Sequence, residues 1–238
     1  MPKQIVVFGT SGGIGRALVA QLAADPSIGR IHAGSRRPTA FDDPRIIPFA
    51  FDLQDEGSIA RAAGEIEGQI DLAFVATGML HRSGGPAPEK ALRAIDPAAM
   101  AELFAVNATG PALIAKHFAP LLPRDRRSVF AALSAKVGSI ADNRLGGWHS
   151  YRASKAALNM LLVNLAIELR RTHPQAIVAA LHPGTVDTGL SAPFQRGVAP
   201  EKLFTPEQSA AYMLDVLNRL APEDSGGLFA WDGSRLPY

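Results

Sequence analysis

"GTSGGIGRAL", Gly9 to Leu18, follows the apolar, β-branched run "QIVVFG" and opens a segment of helical periodicity, "GRALVAQLAAD", that stops ahead of Pro26. A short apolar run ending in glycine reads as a buried parallel strand. Gly9, Gly13 and Gly15 are spaced Gly-x3-Gly-x-Gly. Glycines here let the chain turn sharply, let a pyrophosphate reach the backbone and let the helix pack closely on the strand. The helix start then presents free N–H groups and its positive dipole end to the phosphates. The plain alternative is a glycine-rich turn with no ligand, since the spacing differs from the commonest dinucleotide fingerprint, Gly-x-Gly-x-x-Gly. Position favours the nucleotide site, because this is the turn from first strand to first helix. Ser11, Gly12, Ile14 and Arg16 belong to the same turn.

Outward from that turn the alternation repeats. "RIHAGSR" (30–36), "RIIPFAFDL" (45–53), "IDLAFVATG" (70–78), "RSVFAALSA" (127–135), "AIVAALHPG" (176–184) and "GGLFAWDG" (226–233) read as strands, that over 45–53 with an irregular start at Pro48. Helices are expected over 58–67, over 96–120 with Asp96 as N-cap and Pro97 at the first helical position, over 151–171, and over 206–221. "HRSGGPAPEK" (81–90) is a loop. Strands alternating with helices along the whole chain predict an α/β fold: a Rossmann-type, doubly wound parallel sheet of about seven strands flanked by helices. No repeat or linker divides it, so residues 1–238 are expected to form one domain.

Composition narrows the function. The 238 residues are 47% hydrophobic and 19% charged, with a formal net charge of +2. That balance gives no generic nucleic-acid surface, although a local arginine pocket for a phosphate remains open. There is no cysteine, which excludes disulfides, thiolate nucleophiles and cysteine metal sites. The six histidines lack metal-ligand spacing, so no metal is expected. The N-terminal apolar run is too short for a secretory signal, and no later run reaches about 18 apolar residues. A soluble cytoplasmic protein with no membrane partner is expected.

The end of the second strand, "GSRR" (Gly34 to Arg37), carries no acid where a dinucleotide fold meets the adenosine ribose. An acid there suits a 2′-hydroxyl, whereas an arginine suits a 2′-phosphate because its donors fork onto two oxygens. Ser35, Arg36 and Arg37, with Arg16 adding charge, therefore favour NADP over NAD; the plain alternative is a solvated basic turn. Asp52 either accepts from the adenine amino group or caps the helix that follows.

"HSYRASKAAL" (149–158) places Tyr151 and Lys155 four apart, on one helical face. A free tyrosine titrates near 10, and a nearby ammonium favours the phenolate and lowers that value. Tyr151 can then give a proton to a carbonyl oxygen or take one from an alcohol. Taken with the glycine turn, "VNATG" containing Asn107, and "HPGTVDT" containing Pro183, Gly184 and Thr188, the ordered set resembles the short-chain dehydrogenase/reductase family over nearly the whole chain. "GSIADNRLGGWHSYRASKAAL" and "GGLFAWDGSRLPY" look more narrowly like its C-factor and sniffer-type carbonyl reductases.

The resemblance implies an NADP-dependent reductase of an aldehyde or ketone. In that reading Tyr151 is the proton donor, Lys155 also holds the nicotinamide ribose, and Asn107 orders a water in a proton relay. It adds Leu53, Ala76, Thr77, Gly78 and Val186 to the cofactor contacts, and has the loop from Pro183 to Thr188 pass the nicotinamide carboxamide. It likens 151–171 to a dimer helix and 189–205, with Phe194, to a substrate lid.

Two departures matter. "VATG" (75–78) stands where the family carries two asparagines and an alanine before the glycine, and Ala135 stands where it carries its catalytic serine. Ser134 would point to the opposite face of the strand, and Ser139 lies in the following loop. Ser139 is slightly preferred as the replacement because a loop has freedom a strand lacks. Trp148, His149 and Trp231 either line the cleft or pack beside it. The missing hydroxyl also motivates a second reading, a nucleotide-binding signalling or regulatory protein with little turnover.

Overall fold

The computed structural model describes residues 2–82, 85 and 87–238. Ser83, Gly84 and Pro86, in the expected loop over 81–90, lie outside the described residues. The strands are β1 (Lys3–Phe8), β2 (Ile28–Ser35), β3 (Ile46–Ala50), β4 (Leu72–Val75), β5 (Ser128–Leu133), β6 (Ala176–His182), β7 (Thr185–Val186), β8 (Leu203–Phe204), β9 (Gly227–Ala230) and β10 (Arg235–Leu236). Eight of them form one sheet in the order β10-β9-β6-β5-β4-β1-β2-β3. All neighbours are parallel except β10, which pairs antiparallel with β9. That two-residue strand is the one beyond the expected seven. It is too short to show an alternating pattern.

The central strands are continuous apolar runs because helices cover both faces. Helices α1 (Gly13–Ala23) and α6 (Pro206–Arg219) seal one core with Val7, Phe74 and Leu181. Helices α2 (Glu56–Gly64), α4 (Gly110–Phe118) and α5 (His149–Arg170) seal the other with Phe8, Ala132 and Val178. Pro48 is tolerated because β3 is the sheet's edge strand. Strand order reverses beside β1, between β4 and β2, and open α/β sheets bind ligands in the crevice at such a point.

The helix expected over 96–120 is present, running from Pro97 to Leu121 with one irregularity. Asp96 caps α3 (Pro97–Phe104) by accepting from Ala99 N at 2.7 Å. A wide π turn, Ala105–Thr109, then separates α3 from α4 and carries Asn107. Such turns often mark functional positions. The whole stretch Pro97–Leu121 has a mean hydropathy of 1.3 over its best window, enough by length and composition to cross a bilayer. Here it packs on α5 and α2 as a layer of the fold. Asp52 does not cap α2: Asp55 holds that position, while Asp52 Oδ1 accepts from Gln54 N at 2.9 Å. The segment likened to a lid, 189–205, is tied at both ends, because β7 just before it pairs with β8 near its end.

Candidate active site

The glycine turn, the ends of β4, β5 and β6, and the start of α5 meet around a cavity of about 590 Å³. Ser11, Gly12, Gly13, Ile14 and Gly15 line one end, with Ala76, Thr77 and Gly78 beside them. A Cβ on Gly15 would come within 2.3 Å of Gly9 O, so α1 can start this close to β1 only with glycine there. Gly12, at the N-cap of α1, has no side chain to cap it, and the first turn holds no acidic residue. The N–H groups of that helix start are left for an anion.

Arg16, Arg36 and Arg37 are exposed, and among the described residues none of the three makes an ion pair or side-chain hydrogen bond. The end of β2 is fastened to the glycine turn, because Gly34 O accepts from Gly9 N at 2.8 Å and from Thr10 N at 3.0 Å. Ser35 is buried and its carbonyl accepts from Phe51 N. Leu53 stands outside the cavity, beneath Gly110, where a Cβ would meet its Cδ2 at 2.7 Å.

At the other end, Lys155 Nζ donates to Leu133 O at 2.8 Å and lies 5.9 Å from the centre of the Tyr151 ring. Both side chains are buried. Burial pushes the Tyr151 phenol up to about 12 and pulls the Lys155 ammonium down to about 7. The expectation that the ammonium lowers the phenol is therefore reversed: loss of water outweighs the attraction. Tyr151 is a neutral phenol at neutral pH, a form that can donate a proton.

Asn107 is fully buried. Its Oδ1 accepts from Met79 N at 2.8 Å, and its Nδ2 donates to Met79 O at 2.7 Å and to Ser154 Oγ at 3.0 Å. Ser154 Oγ in turn donates to Tyr151 O at 2.8 Å. The amide thus joins the end of β4 to the helix that carries Tyr151.

The hydroxyls of both serines are engaged elsewhere in this structure. Ser139 Oγ accepts from Asp142 N at 3.0 Å and lies outside the cavity, so its loop does not bring it in. Ser134 Oγ faces α5, as its strand position predicts, and donates to Asn159 Oδ1 at 2.6 Å. Ala135 instead packs with Leu80, Leu103 and Tyr151 in a small apolar cluster that Val137, Trp148 and Phe194 complete.

Phe194 of the lid segment stacks edge-on to Trp148, with centroids 5.1 Å apart, and to His81 at 5.4 Å. Trp148 lines the cavity, whereas Trp231 packs against Phe204 and Tyr212 and His149 does not reach it. Pro183, Gly184, Val186 and Thr188 form the remaining wall, next to His182, whose imidazole burial pulls down to about 4. Lys155 is the one charged side chain among the described residues of the lining. No cluster of three metal-ligating side chains occurs among the described residues. A larger groove of about 830 Å³, between α3 and a wall that includes Met79, His81, Arg82 and Pro88, shares only Leu80 with this cavity among the described residues.

A family model described as short chain dehydrogenase matches residues 3–198. This chain belongs to the short-chain dehydrogenase family. An uncharacterised oxidoreductase of Schizosaccharomyces pombe is 27% identical over 99% of this chain and 98% of its own. C-signal of Myxococcus xanthus is 36% identical over 62% of this chain and 84% of its own. The crystal structure of a carbonyl reductase from chicken fatty liver, with NADPH bound, superimposes with a TM-score of 0.84 at 25% identity, covering 99% of each chain. Carbonyl reductase Sniffer of Drosophila melanogaster shares the fold with a TM-score of 0.84 at 21% identity over all of both chains.

Reading the sequence of this short-chain dehydrogenase missed Ser154, Asn159 and Glu89. Ser154 lies between the two residues of the Tyr-x3-Lys pair, so a helical wheel offers it as a neighbour. Asn159 and Glu89 act on partners 25 and 61 residues away and leave no local signal.

Proposed function

We propose that this short-chain dehydrogenase is an NADP(H)-dependent reductase of neutral aldehydes or ketones. The observation that carries the reading is the buried Tyr151–Lys155 pair facing a cavity whose other end is an uncapped helix start. The likeness to a carbonyl reductase solved with NADPH supports it. The glycine turn would hold the pyrophosphate, and Arg36 with Arg37 and Arg16 the 2′-phosphate. Lys155 would hold the nicotinamide ribose, and the loop from Pro183 to Thr188 the carboxamide. NADPH supplies the hydride when bound.

The substrate carbonyl lies against Tyr151, which gives its phenolic proton to the oxygen as the carbon is reduced. The phenolate left behind is stabilised by the Lys155 ammonium and regains a proton from solvent. Without a hydroxyl at Ala135 the oxygen meets one donor, which costs a few kcal/mol of barrier by analogy with oxyanion sites. The apolar wall of Leu80, Val137, Trp148 and Phe194 suits a neutral substrate with an apolar arm. Steady-state oxidation of NADPH with small aldehydes and aryl ketones tests the reading. Tyr151→Phe should lower kcat by about 100-fold or more, the range of a lost general acid; equal turnover by wild type and variant would refute it.

Ala135 favours one second reading, a nucleotide-binding regulatory protein with little turnover, which predicts tight NADPH binding and no carbonyl-dependent oxidation. A homodimer through α5 is part of our proposal, because Met160, Leu161 and Ile167 are exposed along that helix. A monomer in sedimentation at micromolar concentration would remove it. We place the protein in the cytoplasm, a reading that fractionation checks.

A further inference from the structure

The helix that carries Tyr151 has an unusual beginning. Gly146, Gly147 and Trp148 run consecutively through the left-handed region, with φ of 63°, 64° and 49°. Trp148 is the one non-glycine residue with positive φ among the described residues, and such a conformation persists where the surroundings over-determine it. Trp148 is also the N-cap of α5, and its indole can only donate, so it cannot cap the helix. No acidic residue occupies the first turn. A helix start left this way has unsatisfied N–H groups, and those of Ser150 and Tyr151 belong to buried residues.

Glu89 fills the vacancy from another part of the chain. It is 8% exposed. Its backbone carbonyl accepts from Trp148 N. Its carboxylate accepts from Ser150 N at 3.3 Å and from Ser150 Oγ. Ser150 is fully buried. Gly147 lies against the same backbone, where a Cβ would be 3.5 Å from Glu89 O. A buried carboxylate must be hydrogen-bonded, and these donors of the α5 start are the partners of the Glu89 side chain among the described residues. Tyr151 is the third residue of α5, inside the turn that Glu89 closes.

We propose that Glu89 is a positioning residue: by closing the first turn of α5 from outside the helix, it fixes where the Tyr151 phenol lies relative to Lys155. The kinetic part of the test rests on the reductase reading; the spectroscopic part does not. Full-length Glu89→Ala and Glu89→Asp are compared with wild type for NADPH oxidation with an aryl aldehyde, and Tyr151 is titrated by alkaline absorbance as the difference from Tyr151→Phe. In Glu89→Ala, kcat should fall about tenfold or more, as displacement of a reacting group by a fraction of an ångström implies. KM and NADPH affinity should stay within about twofold, and Glu89→Asp should recover most of the loss. The phenol of the alanine variant should titrate closer to a free tyrosine.

Unchanged kcat in Glu89→Ala overturns the proposal. So does a loss shared equally by kcat and cofactor affinity, or a phenol titration that does not move. Should Glu89→Ala fail to fold, Ser150→Ala removes one of the same contacts and is held to the same pattern at smaller amplitude. If wild type reduces no carbonyl, the proposed function fails, and the phenol titration still decides the role of Glu89.

Discussion

Helices α1 and α5 begin at opposite ends of one cavity, and they begin differently. Gly12 before α1 and Trp148 before α5 provide no side-chain cap, and neither helix has an acid in its first turn. At α5 the protein satisfies the start itself with Glu89. At α1 no side chain among the described residues does. A helix start completed from within is rigid, as suits a residue that must hold a proton in place. A helix start left bare, beside glycines that keep side chains out of the way, is a socket for a charged group that comes and goes. The contrast separates the part of the site that binds from the part that reacts.

The sharpest way to break the contrast is to give α1 a cap. Gly12→Asp puts a carboxylate where phosphates are expected, and Gly12 already has an extended backbone that suits an N-cap. NADPH affinity should drop about 100-fold or more from charge repulsion and occupied N–H groups, with the cofactor-free melting temperature equal to or above wild type. Titration calorimetry and thermal unfolding read both; retained affinity would mean the phosphates lie elsewhere.

Ala135→Ser sharpens the reacting end. It restores a second donor beside Tyr151, and kcat for an aryl ketone should rise about tenfold or more with cofactor affinity unchanged. A fall in kcat would mean that the apolar wall matters more than the hydroxyl.

A further effect is thermodynamic. Lys155 titrates near 7 when folded, against an ordinary 10.5. Between those values the unfolded chain binds a proton that the folded, cofactor-free protein does not. Stability from this residue therefore rises with pH across that window and is lost as pH falls through about 7. The slope approaches one proton, about 1.4 kcal/mol per pH unit. Denaturant unfolding of wild type and Lys155→Met across the window should show that difference; parallel curves would contradict it.

Most of the architecture was readable from residue order alone, because β-branched runs, helical periodicity and the glycine turn are local signals. Asp96, Pro97 and Pro48 stand where their chemistry predicts. The π turn inside the α3–α4 helix is not readable: Asn107, which it carries, bonds to Met79, 28 residues away. The site followed the same rule. Tyr151 and Lys155 were recognisable from a spacing of four, yet the direction of the Tyr151 shift was misjudged, since pairing can be guessed from sequence and depth of burial cannot. A loop position suggests freedom for Ser139, and a hydrogen bond to its own loop restrains it. Glu89 was invisible because its partner is 61 residues away.

The most direct test of the binding end is a fluorescence titration of NADPH against NADH on wild type and Arg36→Ala. The account predicts that wild type prefers NADPH, and that the variant loses about tenfold or more of NADPH affinity while NADH binding stays the same, the signature of a lost charge-assisted contact to the 2′-phosphate. Equal loss for both cofactors, or binding of neither by wild type, would contradict it.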